Sequence, residues 1–98
     1  MAKAYISEYD HIPVFSGLGL PTGKEPAPVE QVVTFTTTTQ SAAFAANTKF
    51  IRVHSDGICS YKFGGNPTAT TSTPRMAAGA TEFFAVVPGD KVAFVTNT

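Results

Sequence analysis

The chain has 98 residues with seven basic and seven acidic side chains, so its formal net charge is zero, and charged residues make up only 14%. This length fits one domain. We expect neither nucleic acid nor a membrane surface as a partner, because both attract proteins with an excess of Lys and Arg. A chain with so few charges has little repulsion between its copies, which favours association.

The single cysteine, Cys59, cannot form a disulfide within the chain, and the sequence lacks the Cys and His clusters of zinc sites. No apolar run resembles a signal peptide or a membrane span. We therefore expect a soluble product made in the cytoplasm of the producing cell.

The residue composition indicates β structure. Val, Ile and Thr together account for 27 residues, whereas Leu occurs twice, and β-branched residues favour strands. No segment shows sustained apolar spacing of three and four residues. We predict an all-β fold, a small antiparallel β-sandwich or barrel that is jelly-roll-like and carries an extended N-terminal arm.

Residues 1–28 differ from the rest of the chain. Strands are predicted over residues 4–9 and 11–15, followed by a Gly/Pro-rich stretch at residues 16–28 that disfavours both helix and strand. This stretch is either a surface loop or an arm that reaches a neighbouring subunit. We predict that residues 29–98 form the sandwich or barrel domain.

The remaining elements alternate between strands and turns. Asp56 and Gly57 separate two strand patterns and predict a hairpin, while Pro88 and Gly89 predict a type II turn. A short helix is the alternative for residues 41–46, which are otherwise a strand ending in a turn at Asn47. The predicted strands are residues 29–37, 41–46, 49–55, 58–63, 81–87 and 92–95.

The sequence gives little sign of catalysis. His11 and His54 have no carboxylate at a recognisable motif spacing, and Cys59 has no basic neighbour that would activate it. The pattern from Gly79 to Asp90 is similar to the barrel strands of cupins, but residues 90–94 contain no histidine for the cupin metal. We predict no catalytic residues, no bound cofactor and no metal site.

Three segments and the start of the chain carry a family resemblance: residues 48–60 (TKFIRVHSDGICS), 63–70 (FGGNPTAT), 75–86 (RMAAGATEFFAV) and 1–9 (MAKAYISEY). They resemble small β-rich proteins encoded in the virion-assembly modules of tailed bacteriophages, some of which act as head decoration or cement proteins. The resemblance implies a virion structural protein on the capsid surface, made in the host cytoplasm. Its partner would be the major capsid protein of the same phage, bound by a dimer or trimer.

The low-charge stretches at residues 34–46, 64–81 and 83–95 are predicted to supply contact surface. Individual contacts are predicted in the N-terminal segment and in the second irregular region, which both look too irregular to form core. These interface residues are Tyr5, Ile6, Tyr9, Ile12, Phe15, Arg75 and Met76. The alternative function is a receptor- or glycan-binding module of a virion fibre or baseplate, and a regulator that binds a host protein is a third possibility.

Overall fold

The computed structural model describes residues 2–10, 14–15, 18–19 and 26–98. These residues contain ten strands and no helix, which confirms the predicted all-β sandwich. The strands are β1 (Ala2–Tyr9), β2 (Val14–Phe15), β3 (Leu18–Gly19), β4 (Val29–Phe35), β5 (Thr39–Gln40), β6 (Phe50–Ser55), β7 (Cys59–Gly64), β8 (Arg75–Met76), β9 (Thr81–Ala85) and β10 (Lys91–Thr96).

Eight strands form two four-stranded antiparallel sheets, and β2 and β3 pair separately. The first sheet has the order β4-β1-β6-β9, and the second has the order β5-β10-β7-β8. From β4 onward every strand except β8 joins the sheet opposite to that of its predecessor. This is a jelly-roll arrangement, in which the N-terminal strand fills the place between β4 and β6.

Strand β1 shows why residues 2–9 belong to the sandwich. Ala4, Ile6 and Glu8 point inward and are buried, whereas Lys3 and Tyr5 are exposed, as the two-residue period of a strand requires. The strand predicted over residues 4–9 is confirmed, but it pairs with β4 on one side and β6 on the other. These residues therefore form an inner strand of the sandwich and no arm. Most of residues 11–25 lie outside the described residues.

The predicted hairpin at Asp56 and Gly57 is wrong. The chain does turn there, but β6 and β7 lie in different sheets. The main-chain N–H of Lys3 donates to Asp56 Oδ1 at 2.7 Å, and the Asp56 N–H donates to the Lys3 carbonyl at 3.0 Å, so the turn is fixed to β1. Glycine is required at residue 57 because a Cβ there would lie 2.8 Å from the Cβ of Ala2.

The predicted type II turn at Pro88 and Gly89 is confirmed. Gly89 has a φ of 88°, and the Asp90 N–H donates to the Val87 carbonyl at 3.1 Å. Positive φ at the third position of a type II turn favours glycine. This turn also carries the chain between sheets, from β9 to β10.

Residues 41–47 form neither the predicted strand nor the alternative helix. They follow β5 as irregular chain along β10: the Ser41 N–H donates to the Val92 carbonyl at 2.7 Å, and the Phe44 N–H donates to the Asp90 carbonyl at 2.8 Å. The turn expected at Asn47 is present.

The core lies between the sheets, where the inward side chains of both meet. Phe35 from the first sheet stacks on Phe94 from the second, with ring centroids 5.6 Å apart, and both rings are almost completely buried. A second aromatic group, Tyr61, Phe63 and Phe84, packs beside this stack with centroid separations of 5.0 to 5.9 Å. Aromatic contacts thus join the two sheets together with the aliphatic side chains of the core, among them Ile6, Ile51 and Val92.

Candidate interaction surface

The outward-facing side of the second sheet is covered by the chain itself. After β7, residues 65–74 cross this side, and Pro67 and Ala69 are buried against it. Ala93 and Ser60, whose side chains point to the same side, have no exposed surface. This part of the low-charge stretch at residues 64–81 is therefore used within the molecule.

Side-chain hydrogen bonds hold this covering loop in place. Gln40 Nε2 donates to Asn66 Oδ1 at 2.8 Å and to the Pro67 carbonyl at 2.9 Å. The Ala69 N–H donates to Thr38 Oγ1 at 3.0 Å. Because these bonds span about thirty residues of sequence, the loop is part of the folded unit.

Over the centre of the outward-facing side of the first sheet, none of the described residues forms such a covering. Here the strand register aligns two rows of side chains, Val32-Tyr5-His54-Thr81 and Glu30-Ser7-Arg52-Phe83. We call these eight residues the outer face. Tyr5, Val32 and Phe83 on it are 42%, 53% and 46% exposed. Exposed apolar groups collected on one face are typical of interaction sites.

A shallow groove runs along the outer face between β1 and β4. Its volume is about 370 Å³. It is lined by Tyr5, Ile6, Ser7, Glu30, Gln31 and Val32. Since both apolar and polar groups line it, the groove can accept an apolar side chain flanked by hydrogen-bonding groups.

Polar contacts order the centre of the outer face. His54 Nδ1 lies 2.8 Å from Thr81 Oγ1, and the rings of His54 and Tyr5 have centroids 6.4 Å apart. Next to these rows, Tyr9 and Phe50 stack with centroids 5.0 Å apart and are buried. The outer face is therefore a preformed surface on an ordered sheet.

The structure separates the predicted interface residues into two groups. Tyr5 and Arg75 are exposed. Ile6 and Met76 are both 1% exposed and Tyr9 is 3% exposed, so these three have almost no surface to offer, and the expectation that they lie outside the core is wrong. Ile6 and Met76 belong to the core cluster because strand alternation turns them inward. The side chains of Ile12 and Phe15 lie outside the described residues.

Val32 and Phe83, which contribute two of the exposed apolar groups, are not among the individually predicted contacts, although Phe83 begins the low-charge stretch 83–95 predicted to supply contact surface. Both lie in predicted strands, and their alternation with Val33 and Phe84 was visible in the sequence. The pairing of β4 with β1 and of β9 with β6 decides that Val32 and Phe83 face outward and that Val33 and Phe84 face inward. These pairings join segments that are distant in sequence.

Residues able to perform chemistry are scattered in the described part of the chain. Among residues 2–10 and 26–98, no three His, Cys, Asp or Glu side chains lie close enough to bind a metal ion. No helix in these residues is long and apolar enough to cross a membrane. Glu8 is buried and satisfied by three hydrogen-bond donors, so its position is structural.

Cys59 is completely buried. Burial raises the pKa of its thiol, the nearby negative charge of Glu82 raises it further, and a hydrogen bond with the Ser55 side chain opposes both. The reactive form of a cysteine is the thiolate. The environment of Cys59 therefore suppresses its reactivity.

We expect the thiol of Cys59 to react with a thiol-specific reagent at pH 8 only in unfolded protein. The physical reasons are its burial and its raised pKa, which both lower the amount of accessible thiolate. The measurement is the rate of reaction with and without denaturant. Reaction in the native state at the rate of a free cysteine would contradict this placement.

The chain matches no protein-family model, and no curated protein and no solved structure is significantly similar to it.

Proposed function

We propose that the protein is a non-enzymatic virion structural protein of a tailed bacteriophage, a decoration or cement protein that binds the assembled head and stabilises it. One structural observation supports this proposal most. The outer face is ordered and exposes Tyr5, Val32 and Phe83, whereas the opposite side of the sandwich is covered by residues 65–74. A one-sided module of this kind can lie flat on a shell.

In this proposal the outer face contacts the major capsid protein of the same phage. Tyr5, Val32 and Phe83 provide the apolar contact, and Glu30 and Arg52 lie among them with opposite charges. Apolar groups contribute most of the binding free energy, and the charges select the orientation. Each contact can be weak, because an oligomer bound to several capsid subunits gains through effective concentration.

The proposal predicts that two negative charges on the outer face weaken binding to heads. The test variant is Tyr5→Glu with Val32→Glu, which places charges beside the groove between β1 and β4. We expect its affinity for purified expanded heads to fall at least about tenfold, the effect of losing roughly 1.4 kcal/mol. The measurement is co-sedimentation of the protein with the heads.

A matched control carries the same two charges on the opposite side of the molecule. Thr68→Glu with Ser72→Glu alters exposed residues of the covering loop, and this variant should bind heads like the unmodified chain. Equal binding by the outer-face variant, or no binding by the unmodified chain, would overturn the proposal.

The groove gives some support to the alternative function, a receptor- or glycan-binding module of a virion fibre or baseplate. The exposed ring of Tyr5 adjoins the polar groups of Ser7, Glu30 and Gln31, and sugars bind to such combinations of aromatic and polar groups. Binding of the isolated protein to a glycan array, without binding to heads, would favour this alternative.

A further inference from the structure

The edge strand β9 presents a row of main-chain groups that no other strand of residues 2–10, 14–15, 18–19 and 26–98 pairs with. Within this part of the chain, β9 pairs with β6 alone. The Ser55 N–H donates to the Ala80 carbonyl and the Val86 N–H donates to the Lys49 carbonyl, so alternate residues 80, 82, 84 and 86 direct their main chain to β6. The N–H and C=O groups of Thr81, Phe83 and Ala85 consequently point away from the sheet.

This edge carries one feature that usually hinders pairing with another chain, an inward-pointing charge, since Glu82 lies opposite Val53 on the inward-facing side. Strand β9 lacks proline and lysine, however, and none of the residues whose main chain points away from β6 is charged. Phe83, at the centre of the edge, is 46% exposed. The five-residue edge therefore leaves the uncharged residues Thr81, Phe83 and Ala85 open to main-chain pairing with another chain.

The other edges in the described residues are less suited to pairing. Strand β4 follows Pro28 and carries the charged, exposed Glu30 among the residues that point away from β1. The edge strands of the second sheet, β5 and β8, are two residues long. Strand β9 therefore offers the most favourable edge.

We propose that β9 pairs antiparallel with β9 of a second copy of this chain, with a two-fold axis at Phe83. In this register Phe83 faces Phe83 of the second copy, and Thr81 faces its Ala85. Three hydrogen-bonded residue pairs form, each with two main-chain hydrogen bonds. The first sheet of one copy and the first sheet of the other then form one eight-stranded sheet with a continuous outer face.

The edge fits a second copy because it is complementary to itself. The three residues whose main chain points away from β6, Thr81, Phe83 and Ala85, are uncharged, so a charged partner would gain no favourable charge interaction with them. One of them lies two residues before Phe83 and one lies two residues after it, so the edge can pair with a copy of itself about Phe83. Each Glu82 lies opposite Phe84 of the second copy, which avoids the repulsion of like charges placed directly opposite. This inference does not depend on the proposed head binding.

The first test is sedimentation velocity of the full chain from about 10 µM to about 1 mM, the range expected for a small interface. We expect a monomer that converts to a dimer as concentration rises. Phe83→Lys should raise the dissociation constant at least about tenfold, because it places two like charges at the axis. The matched control Val32→Lys changes an equally exposed residue on the opposite edge strand and should leave dimerisation unchanged.

The second test fixes the register without depending on a destabilising charge. Opposite residues of a hydrogen-bonded pair have Cα atoms about 5.5 Å apart, within the range of a disulfide. Under mild oxidation Phe83→Cys should give a covalent dimer. Thr81→Cys alone should not, because its two copies would lie about 13 Å apart, but a mixture of Thr81→Cys and Ala85→Cys should cross-link.

Each outcome of these tests is decisive. A monomer at every concentration, or a trimer, would overturn the inference, as would loss of the dimer in Val32→Lys. Cross-linking of Thr81→Cys alone would refute the register. Dimerisation without head binding would leave this inference standing while the proposed function fails, so the two are separable.

Discussion

Glu8→Ala is expected to lower the free energy of unfolding by about 3 kcal/mol, since it leaves buried donors without an acceptor. The Glu8 carboxylate is 1% exposed. Its Oε1 accepts hydrogen bonds from the Ala45 N–H at 3.0 Å and the Thr48 hydroxyl at 2.8 Å, and its Oε2 accepts one from Gln31 Nε2 at 3.0 Å. The carboxylate therefore joins β1, β4 and the irregular segment at residues 41–48.

Glu8→Gln is the matched control. Its side-chain oxygen can still accept the bonds from Ala45 and Thr48, so we expect a loss of only about 1 kcal/mol, the ordinary value of a single hydrogen bond. The measurement is chemical denaturation at constant pH. If Glu8→Ala unfolds at the same denaturant concentration as the unmodified chain, the carboxylate has no structural role. Equal losses in both variants would show that the negative charge, and not the acceptor geometry, is what matters.

Phe94→Ala is expected to lower the free energy of unfolding by about 3 to 5 kcal/mol, the cost of removing a buried aromatic side chain and leaving a cavity. Phe94 is 1% exposed and stacks on Phe35, with ring centroids 5.6 Å apart, so the substitution removes a contact between the two sheets. A domain of this size has a total stability of only about 5 to 15 kcal/mol. The variant should therefore lose a large share of the stability of the fold.

The control for this prediction is the same substitution at an exposed phenylalanine. Phe83 is 46% exposed, and at low micromolar protein concentration Phe83→Ala should change the stability by less than about 1 kcal/mol. Thermal unfolding followed by circular dichroism measures both. A similar loss in the two variants would contradict the placement of Phe94 in the core.

Local signals in the sequence were reliable where the structure they determine is local. The turn at Gly89 follows from a dipeptide whose backbone preferences close the turn without help from the rest of the chain. Most strands were likewise found from composition. At Asp56 and Gly57 the local sequence predicts the turn correctly, but it does not show that the turn is bonded to β1. Lys3, whose N–H donates to Asp56 Oδ1, lies 53 residues away in sequence.

Non-local contacts explain what the sequence could not show about the candidate site. The alternation of Ala4, Ile6 and Glu8 places Glu8 on the inward-facing side, but a buried carboxylate is stable only because donors arrive from residues 31, 45 and 48. The sequence predicts Ile6 as a contact residue because the segment around it looks too irregular to form core, whereas pairing with β4 and β6 turns its side chain inward. The outer face was likewise unpredictable as a unit, because it depends on which side residues 65–74 cover.

The inner position of β1 has a consequence for the order in which the protein can fold. Strand β1 leaves the ribosome before either of its partners, β4 and β6, and its last pairing residue on β6 is Ser55. The first sheet is completed only by β9, and the second only by β10. Pairings between such distant segments form slowly, on the scale of milliseconds to seconds. Strand β1 therefore has no pairing partner until residues 29–35 are made and only one until residues 50–55 are made, and the sandwich is complete only after β10.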